Sequence, residues 1–316
     1  MVGTTLGLQN QTEVLTNYGT RLVEPEIADI ICLCVMMVIF VTGVIGNGLV
    51  IFVTGYKMKT TVNSIWFLNL AITDLLFIPA MVYLILLFCK RDFGINDLLF
   101  KCGYYALNLN MFASVFFLTV ISLDRCLCTW VVVWAQNKRT LVKARIICVF
   151  VWLLAICCSI PNAMFIFKPI DTLSLQQIQN EKKFIYLYMF IVGFLIPFLI
   201  ITCSYIAIAI RVRRFPRGNQ IRIFRVIFVI LAFFISWFPY HFQRLLLTWV
   251  PHNYWNICVF NILDGAFVFI LCLVFLSSSL NPILYVFMCD EYKKKLKRSL
   301  LLVLEGAFTE DHLGLH

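Results

Sequence analysis

Seven apolar stretches dominate this chain of 316 residues. They run over roughly 28–55, 62–89, 99–129, 143–167, 184–211, 221–249 and 257–287. A helix needs about 20 mostly apolar residues to cross a bilayer, and each stretch exceeds that. The connections between them are short and polar. Barrel strands would be about ten residues long with alternating polarity, a pattern absent here. The fold class expected is therefore all-α: a seven-transmembrane helix bundle. Residues 1–26 form a polar tail, 27–288 the membrane domain and 289–316 a second tail.

Composition agrees with that reading. The chain is 62% hydrophobic and 13% charged, against about 45–50% and about 25% in soluble domains. The net charge of +10 is not spread over one soluble face, as nucleic-acid binding would require. The bases sit in the connections, and no nucleic-acid partner is expected. Most of the 13 cysteines lie inside apolar stretches, where they act as small hydrophobes. No CxxC pair or Cys/His cluster suggests a metal site. The tail 1–26 lacks a basic start followed at once by an apolar run, so no cleaved signal peptide is expected. No nucleophile–base constellation points to an enzyme.

Lys and Arg near the span ends set orientation. The connections after spans one, three, five and seven, with Arg125, hold 18 of the 26 bases. Those connections are expected in the cytoplasm, with the N-terminus outside and the C-terminus inside. Asn10-Gln11-Thr12 then becomes a glycosylation acceptor on the outer side. In 289–304, Tyr292, Leu296 and Leu300 recur every four residues, with Lys294, Lys295 and Arg298 opposite. That pattern suits a short amphipathic helix in the membrane interface, against anionic lipid. A disordered basic tail is the alternative.

The third span concentrates the polar residues. Asn108, Asn110 and Ser114 precede its apolar middle, and Asp124-Arg125-Cys126 ends it. Polar groups in a membrane span are costly and point to function. Other marks fall in order along the chain. Span one carries Gly46-Asn47-Gly48-Leu49-Val50, and span two Asn69-Leu70-Ala71-Ile72-Thr73-Asp74. Span four has Trp152; span five has Pro197 and Tyr205. Span six reads Ser236-Trp237-Phe238-Pro239-Tyr240, and span seven ends Asn281-Pro282-Ile283-Leu284-Tyr285.

Together these motifs resemble the rhodopsin-class (class A) G-protein-coupled receptors along essentially the whole chain. WFLNLA at 66–71, SLDRCL at 122–127, VWAQNKRT at 133–140 and LYVF at 284–287 resemble the chemoattractant branch. That branch includes formyl-peptide, anaphylatoxin and prostaglandin D2 receptors. LNMFAS at 109–114, PYH at 239–241 and the stretch 296–314 are most similar to the chemoattractant-type prostaglandin D2 receptors.

The resemblance implies a plasma-membrane receptor that promotes nucleotide exchange on a heterotrimeric G protein, of the inhibitory class. Arrestin, membrane lipids and an extracellular lipid or peptide ligand are the other partners implied. The third span becomes the central strut. Asp124, Arg125, Tyr205, Asn281, Pro282 and Tyr285 would serve coupling and activation, with Asp124 locking its neighbour Arg125 at rest. Around Asp74, the residues Asn110, Ser114, Ser278 and Asn281 would hold a sodium ion as allosteric modulator; a protonated, hydrogen-bonded Asp74 without ion is the alternative. No cofactor is required. Pro197, Pro239 and Pro282 each lack a backbone donor and permit a hinge. Trp237 would couple pocket contents to a swing of span six, or serve as plain core packing.

For the ligand, Leu107 stands where aminergic relatives use an acid, which disfavours an amine. Arg244, Tyr240, His241, Trp237, Asn108 and Met189 are the candidate contacts. A cation at 244 suits a carboxylate, whether of a lipid such as prostaglandin D2 or of a peptide; Arg244 snorkelling to the outer surface is the alternative. Met189 replaces the lysine that prostaglandin D2 receptors place in span five. The resemblance implies a disulfide from the top of span three to the second outer loop, with Cys102 as its first half, but 168–183 contains no Cys. Its partner stays open between Cys89, Cys258 and none. That gap and the altered pocket also admit a non-signalling scavenger. A transporter would need further intramembrane charges than Asp74.

Overall fold

The computed structural model describes residues 27–88, 97–131, 133, 137–168, 174–212, 217–249, 257–288 and 294. Side chains are left undescribed at some of these, notably 217–226, 257–264 and 284–288. The described residues form seven rods. The first is Ile27–Phe52 with a π turn at Val53–Lys57. The second is Val62–Asp74, a 3₁₀ turn at Leu75–Phe77, then Ile78–Phe88. The third is Asp97–Trp130 and the fourth Leu141–Phe167. The fifth is Leu175–Phe190, a π turn at Ile191–Leu195, then Ile196–Val212. The sixth is Arg217–Trp249 and the seventh Ile257–Met288. Among the described residues, six rods are long and apolar enough to cross a membrane. The sixth rod, whose side chains are left undescribed at 217–226, is not counted among those six.

Local chemistry explains the irregular turns. Pro79 has no N–H to return to Leu75, and the Ile78 N–H takes that carbonyl instead. The helix therefore tightens by one turn just beyond Asp74. Ahead of Pro197, the Ile196 N–H reaches back five residues to Ile191, which widens the fifth span beside the pocket. The second span begins at a reciprocal cap between Thr61 and Ser64.

The fifth span differs from expectation at its N-terminal end. The sequence reading placed 168–183 in a loop, yet the helix begins at Leu175. Ser174 and Gln177 form a capping box: the Gln177 N–H donates to Ser174 Oγ at 3.3 Å and the Ser174 N–H to Gln177 Oε1 at 3.0 Å. Lys168 pairs with Glu181 at 2.7 Å beside it.

The third span is the centre. Its most apolar window is 67% buried, against 22% for the first and fourth. It packs on the second, fourth and fifth spans, while the first and sixth both lean on the seventh. Small residues let backbones approach, as membrane packing requires. A Cβ added at Gly43 would sit 2.7 Å from Ser279 Oγ and 2.8 Å from Phe77 Cζ. Ser279 Oγ also donates to the Ile39 carbonyl at 3.1 Å, tying the first span to the seventh. Trp152 Nε1 donates to Asn69 Oδ1 at 3.0 Å, joining the fourth span to the second. The residues of the expected interfacial helix, apart from Lys294, lie outside the described ones, as does Asn10.

Candidate functional site

Three polar layers stack along the bundle. The first surrounds Arg244. Its guanidinium carbon lies 4.7 Å from the Phe267 ring centre, 5.4 Å from Tyr240 and 5.6 Å from Tyr186. These rings come from spans seven, six and five, and their faces attract a cation. Arg244 Nε is buried without a hydrogen-bond partner, and among the described residues no carboxylate pairs with it. Tyr240 Oη lies 3.3 Å from Tyr104 Oη of the third span. Asn108 Nδ2 donates to the Tyr104 carbonyl at 2.7 Å. Arg244 thus turns inward to an aromatic cage instead of snorkelling outward.

Below it, His241 is 2% exposed, and its Nε2 has no partner among the described residues. Phe194, Tyr240, Phe190 and Trp237 surround the imidazole with ring centres 5.2 to 6.2 Å away. Met189 is buried in the same region of the fifth span.

The middle layer centres on Asp74, which is fully buried. Asn281 Nδ2 donates to both its oxygens at 2.9 Å, and Ser114 Oγ to one at 3.2 Å. Asn110 Nδ2 donates to the Thr73 carbonyl at 2.7 Å, and its Oδ1 accepts from Ser278 Oγ at 3.5 Å. Asn47 bridges from the first span to the Ser278 carbonyl at 3.1 Å. All five expected residues therefore converge. Their oxygens, two of Asp74 and those of Ser114, Ser278 and Asn110, are hard donors around one carboxylate. The donor set fits a small hard cation, chemistry that thiols or imidazoles would not supply. The position before Ser278 has its own use: Trp237 Nε1 donates to Ser277 Oγ at 3.0 Å.

The third layer departs from expectation. Asp124 does not hold Arg125. Its two oxygens accept from Arg139 Nε and Nη2, each at 2.8 Å. Arg139 lies in the connection after the third span, and sequence reading counted it only as a base. Burial opposes its charge, but the hydrogen bonds and charge of Asp124 outweigh burial and raise its pKa. Arg125 donates instead to Asn63 Oδ1, which also accepts from Arg139. The adjacency of 124 and 125 suggested the wrong partner because the Arg139 fork takes both carboxylate oxygens of Asp124. Tyr205 is buried nearby on the fifth span, its hydroxyl unpartnered among the described residues. Pro282 lies within the seventh span; the Tyr285 side chain lies outside the described residues.

Cys102 is a free, exposed thiol, and no disulfide forms among the described residues. Cys89 and the Cys258 side chain lie outside them. Tyr104, Tyr186 and Phe267 are site residues that sequence reading missed. Tyr104 alone had a local signal, one turn before Asn108.

Residues 46–285 match the family described as 7 transmembrane receptor (rhodopsin family). The chain belongs to that family. The receptor is 35% identical to human N-formyl peptide receptor 3 over 313 residues, covering 89% of this chain and 85% of the relative. It is 39% identical to the zebrafish (Danio rerio) C3a anaphylatoxin chemotactic receptor over 293 residues, covering 89% and 78%. Mouse formyl peptide receptor 2 matches at 34% over 303 residues, covering 89% and 86%. These relatives place the receptor in the chemoattractant branch of class A. It is a multi-pass membrane receptor, not an enzyme, and its family implies a G protein and an extracellular ligand as partners.

Proposed function

We propose that this receptor binds a peptide chemoattractant that presents a carboxylate, and couples it to an inhibitory-class G protein. The observation that carries this reading is Arg244: a cation in an aromatic cage, its Nε buried and unpartnered. A carboxylate entering from outside would complete it with charge-assisted hydrogen bonds. The relatives are named for formyl peptides and the C3a anaphylatoxin, which favours a peptide over prostaglandin D2. Met189 supports the same choice, since an apolar side chain there supplies no second anchor for a lipid acid.

Activation then follows the sixth span. Arg244, Tyr240, His241 and Trp237 share its inner face, and Pro239 interrupts its hydrogen-bond ladder among them. A ligand that draws on Arg244 shifts the span on this hinge and changes the Trp237–Ser277 contact. Ser277 adjoins Ser278 of the Asp74 layer, where Asp74, Ser114, Ser278, Asn110 and Asn281 would hold a sodium ion in the resting state. The N-terminus faces outside, with Asn10 glycosylated, and arrestin and the G protein meet the end that carries Arg125.

The test is G-protein activation in cells expressing the receptor, with surface level measured in parallel. A formyl peptide, an anaphylatoxin C-terminal peptide as free acid and as amide, and prostaglandin D2 are compared. A peptide response that is lost in Arg244→Ala supports the proposal, most directly if the amide is also inactive. A response to prostaglandin D2 alone sinks the peptide reading. Peptide binding at the surface without nucleotide exchange points to a scavenger, a reading that the free Cys102 also admits.

A further inference from the structure

At the cytoplasmic end, three side chains from three parts of the chain share two acceptors. Asp124 ends the third span, Arg139 lies in the following connection, and Asn63 opens the second span. Both carboxylate oxygens of Asp124 are taken by Arg139, in a fork-to-carboxylate pair with side chains 13% and 21% exposed. A bidentate pair of this kind is stronger and more directional than a single contact. Asn63 Oδ1 accepts from both guanidinium groups. Arg125 therefore rests on a neutral oxygen, its Nε buried without a partner. A charged group held by a neutral acceptor is held less firmly than one paired with a carboxylate.

We propose that Arg139 and Asn63 are positioning residues for coupling: Arg139 diverts Asp124 from Arg125, and Asn63 is what restrains Arg125 at rest. Asp124 is thus a loop anchor in the resting receptor. This rests on the receptor reading above. Two opposite effects follow. Removing Arg139 frees Asp124 for its neighbour and leaves Asn63 to Arg125 alone, so Arg125 is held more tightly. Removing the Asn63 acceptor takes away the hydrogen bond that holds Arg125 at rest.

The experiment measures ligand-independent G-protein activation per surface receptor in intact cells. Arg139→Gln is expected to lower it about threefold, the size of a modest ion pair, and Asn63→Ala to raise it by a similar factor. Arg139→Lys keeps the charge without the fork and is expected to fall between Arg139→Gln and the unmodified receptor. In an Asp124→Asn background, Arg139→Gln is expected to lower it less than in the unmodified receptor, because the carboxylate that Arg139 diverts is gone and only the release of Asn63 remains. Higher basal activity in Arg139→Gln, or an undiminished effect in the Asp124→Asn background, overturns the proposal. A second readout needs no G protein: amide hydrogen exchange over 137–140 in the purified full-length receptor. Arg139→Gln is expected to speed it at least twofold, and an unchanged rate overturns the anchor. If no ligand produces exchange on any G protein while this rate still responds, the receptor reading fails and the anchor stands.

Discussion

Trp237 Nε1 donates to Ser277 Oγ across the interface between the sixth and seventh spans, at 3.0 Å. Ser277 Oγ in turn donates to the Val274 carbonyl at 2.6 Å. Both side chains are almost fully buried, Trp237 at 2% and Ser277 at 1%. The indole is thereby fixed to the residue beside Ser278, whose hydroxyl reaches Asn110. Pocket and middle layer are thereby joined through the peptide bond between Ser277 and Ser278.

Breaking that link at Ser277 strands a buried donor. Ser277→Ala is expected to cost about 1 kcal/mol in a membrane interior, read as a lower thermal midpoint of the purified receptor. Trp237→Phe in the Ser277→Ala background removes the stranded donor as well. The double variant is expected to lose less than the two single losses added together. Strict additivity would show that the bond contributes nothing.

The Asp74 layer predicts a sodium dependence. Sodium chloride is expected to raise the thermal midpoint of the receptor above that in choline chloride at equal ionic strength. At ten times its dissociation constant the ion adds about 1.4 kcal/mol. Asp74→Asn removes the charge while leaving a similar shape, and is expected to abolish the difference. A midpoint that ignores sodium in the unmodified receptor would leave Asp74 as a hydrogen-bonding hub alone.

Gly43 sets how closely the first and seventh spans approach. Even an added Cβ would meet Ser279 and the Phe77 ring below 3 Å. Gly43→Leu therefore forces the spans apart and breaks the Ser279–Ile39 bond, at a cost of about 1–3 kcal/mol from overpacking. Surface expression is expected to fall sharply. Gly48→Ala provides the control, because a Cβ there meets nothing within 4 Å. Equal expression of the two variants would contradict the packing argument.

The Lys168–Glu181 pair is short, but both side chains are 38% exposed. Exposed pairs contribute about 0–1 kcal/mol and weaken with salt. Lys168→Ala is expected to leave the thermal midpoint within the scatter of replicate measurements. A large loss would mean that the N-terminal end of the fifth span depends on this contact.

Parts of the structure were legible in the chain and others were not. The capping signature Ser174-x-x-Gln177 was present in plain view, yet the polar run 168–183 read as a loop. Hydropathy sees the membrane, not a helix that continues past it into water. The middle layer was accessible residue by residue, since the resemblance implied Ser114, Asn110, Ser278 and Asn281 around Asp74. Thr73 and Asn47, which complete it, lay within the motifs of spans two and one but carried no separate signal. At the first layer, Arg244 was visible as a charge in an apolar span, whereas Phe267 and Tyr186 are ordinary aromatics among many.

By resemblance its motifs pointed to the receptor family, and the sequence by itself determined the number of spans and their boundaries to within a turn or two in most cases. These are properties of composition and order along the chain: runs of apolar residues must cross lipid, and polar residues inside them must have a reason. Only the tertiary structure decided who pairs with whom. Asp124 meets Arg139, fifteen residues away, and not its neighbour. Arg125 meets Asn63 across 62 residues, and Arg244 faces rings from two other spans. Ion pairs and cation–ring contacts are settled by direction and distance at their charged ends. Those ends are brought together by helix packing, which no local pattern of residues encodes.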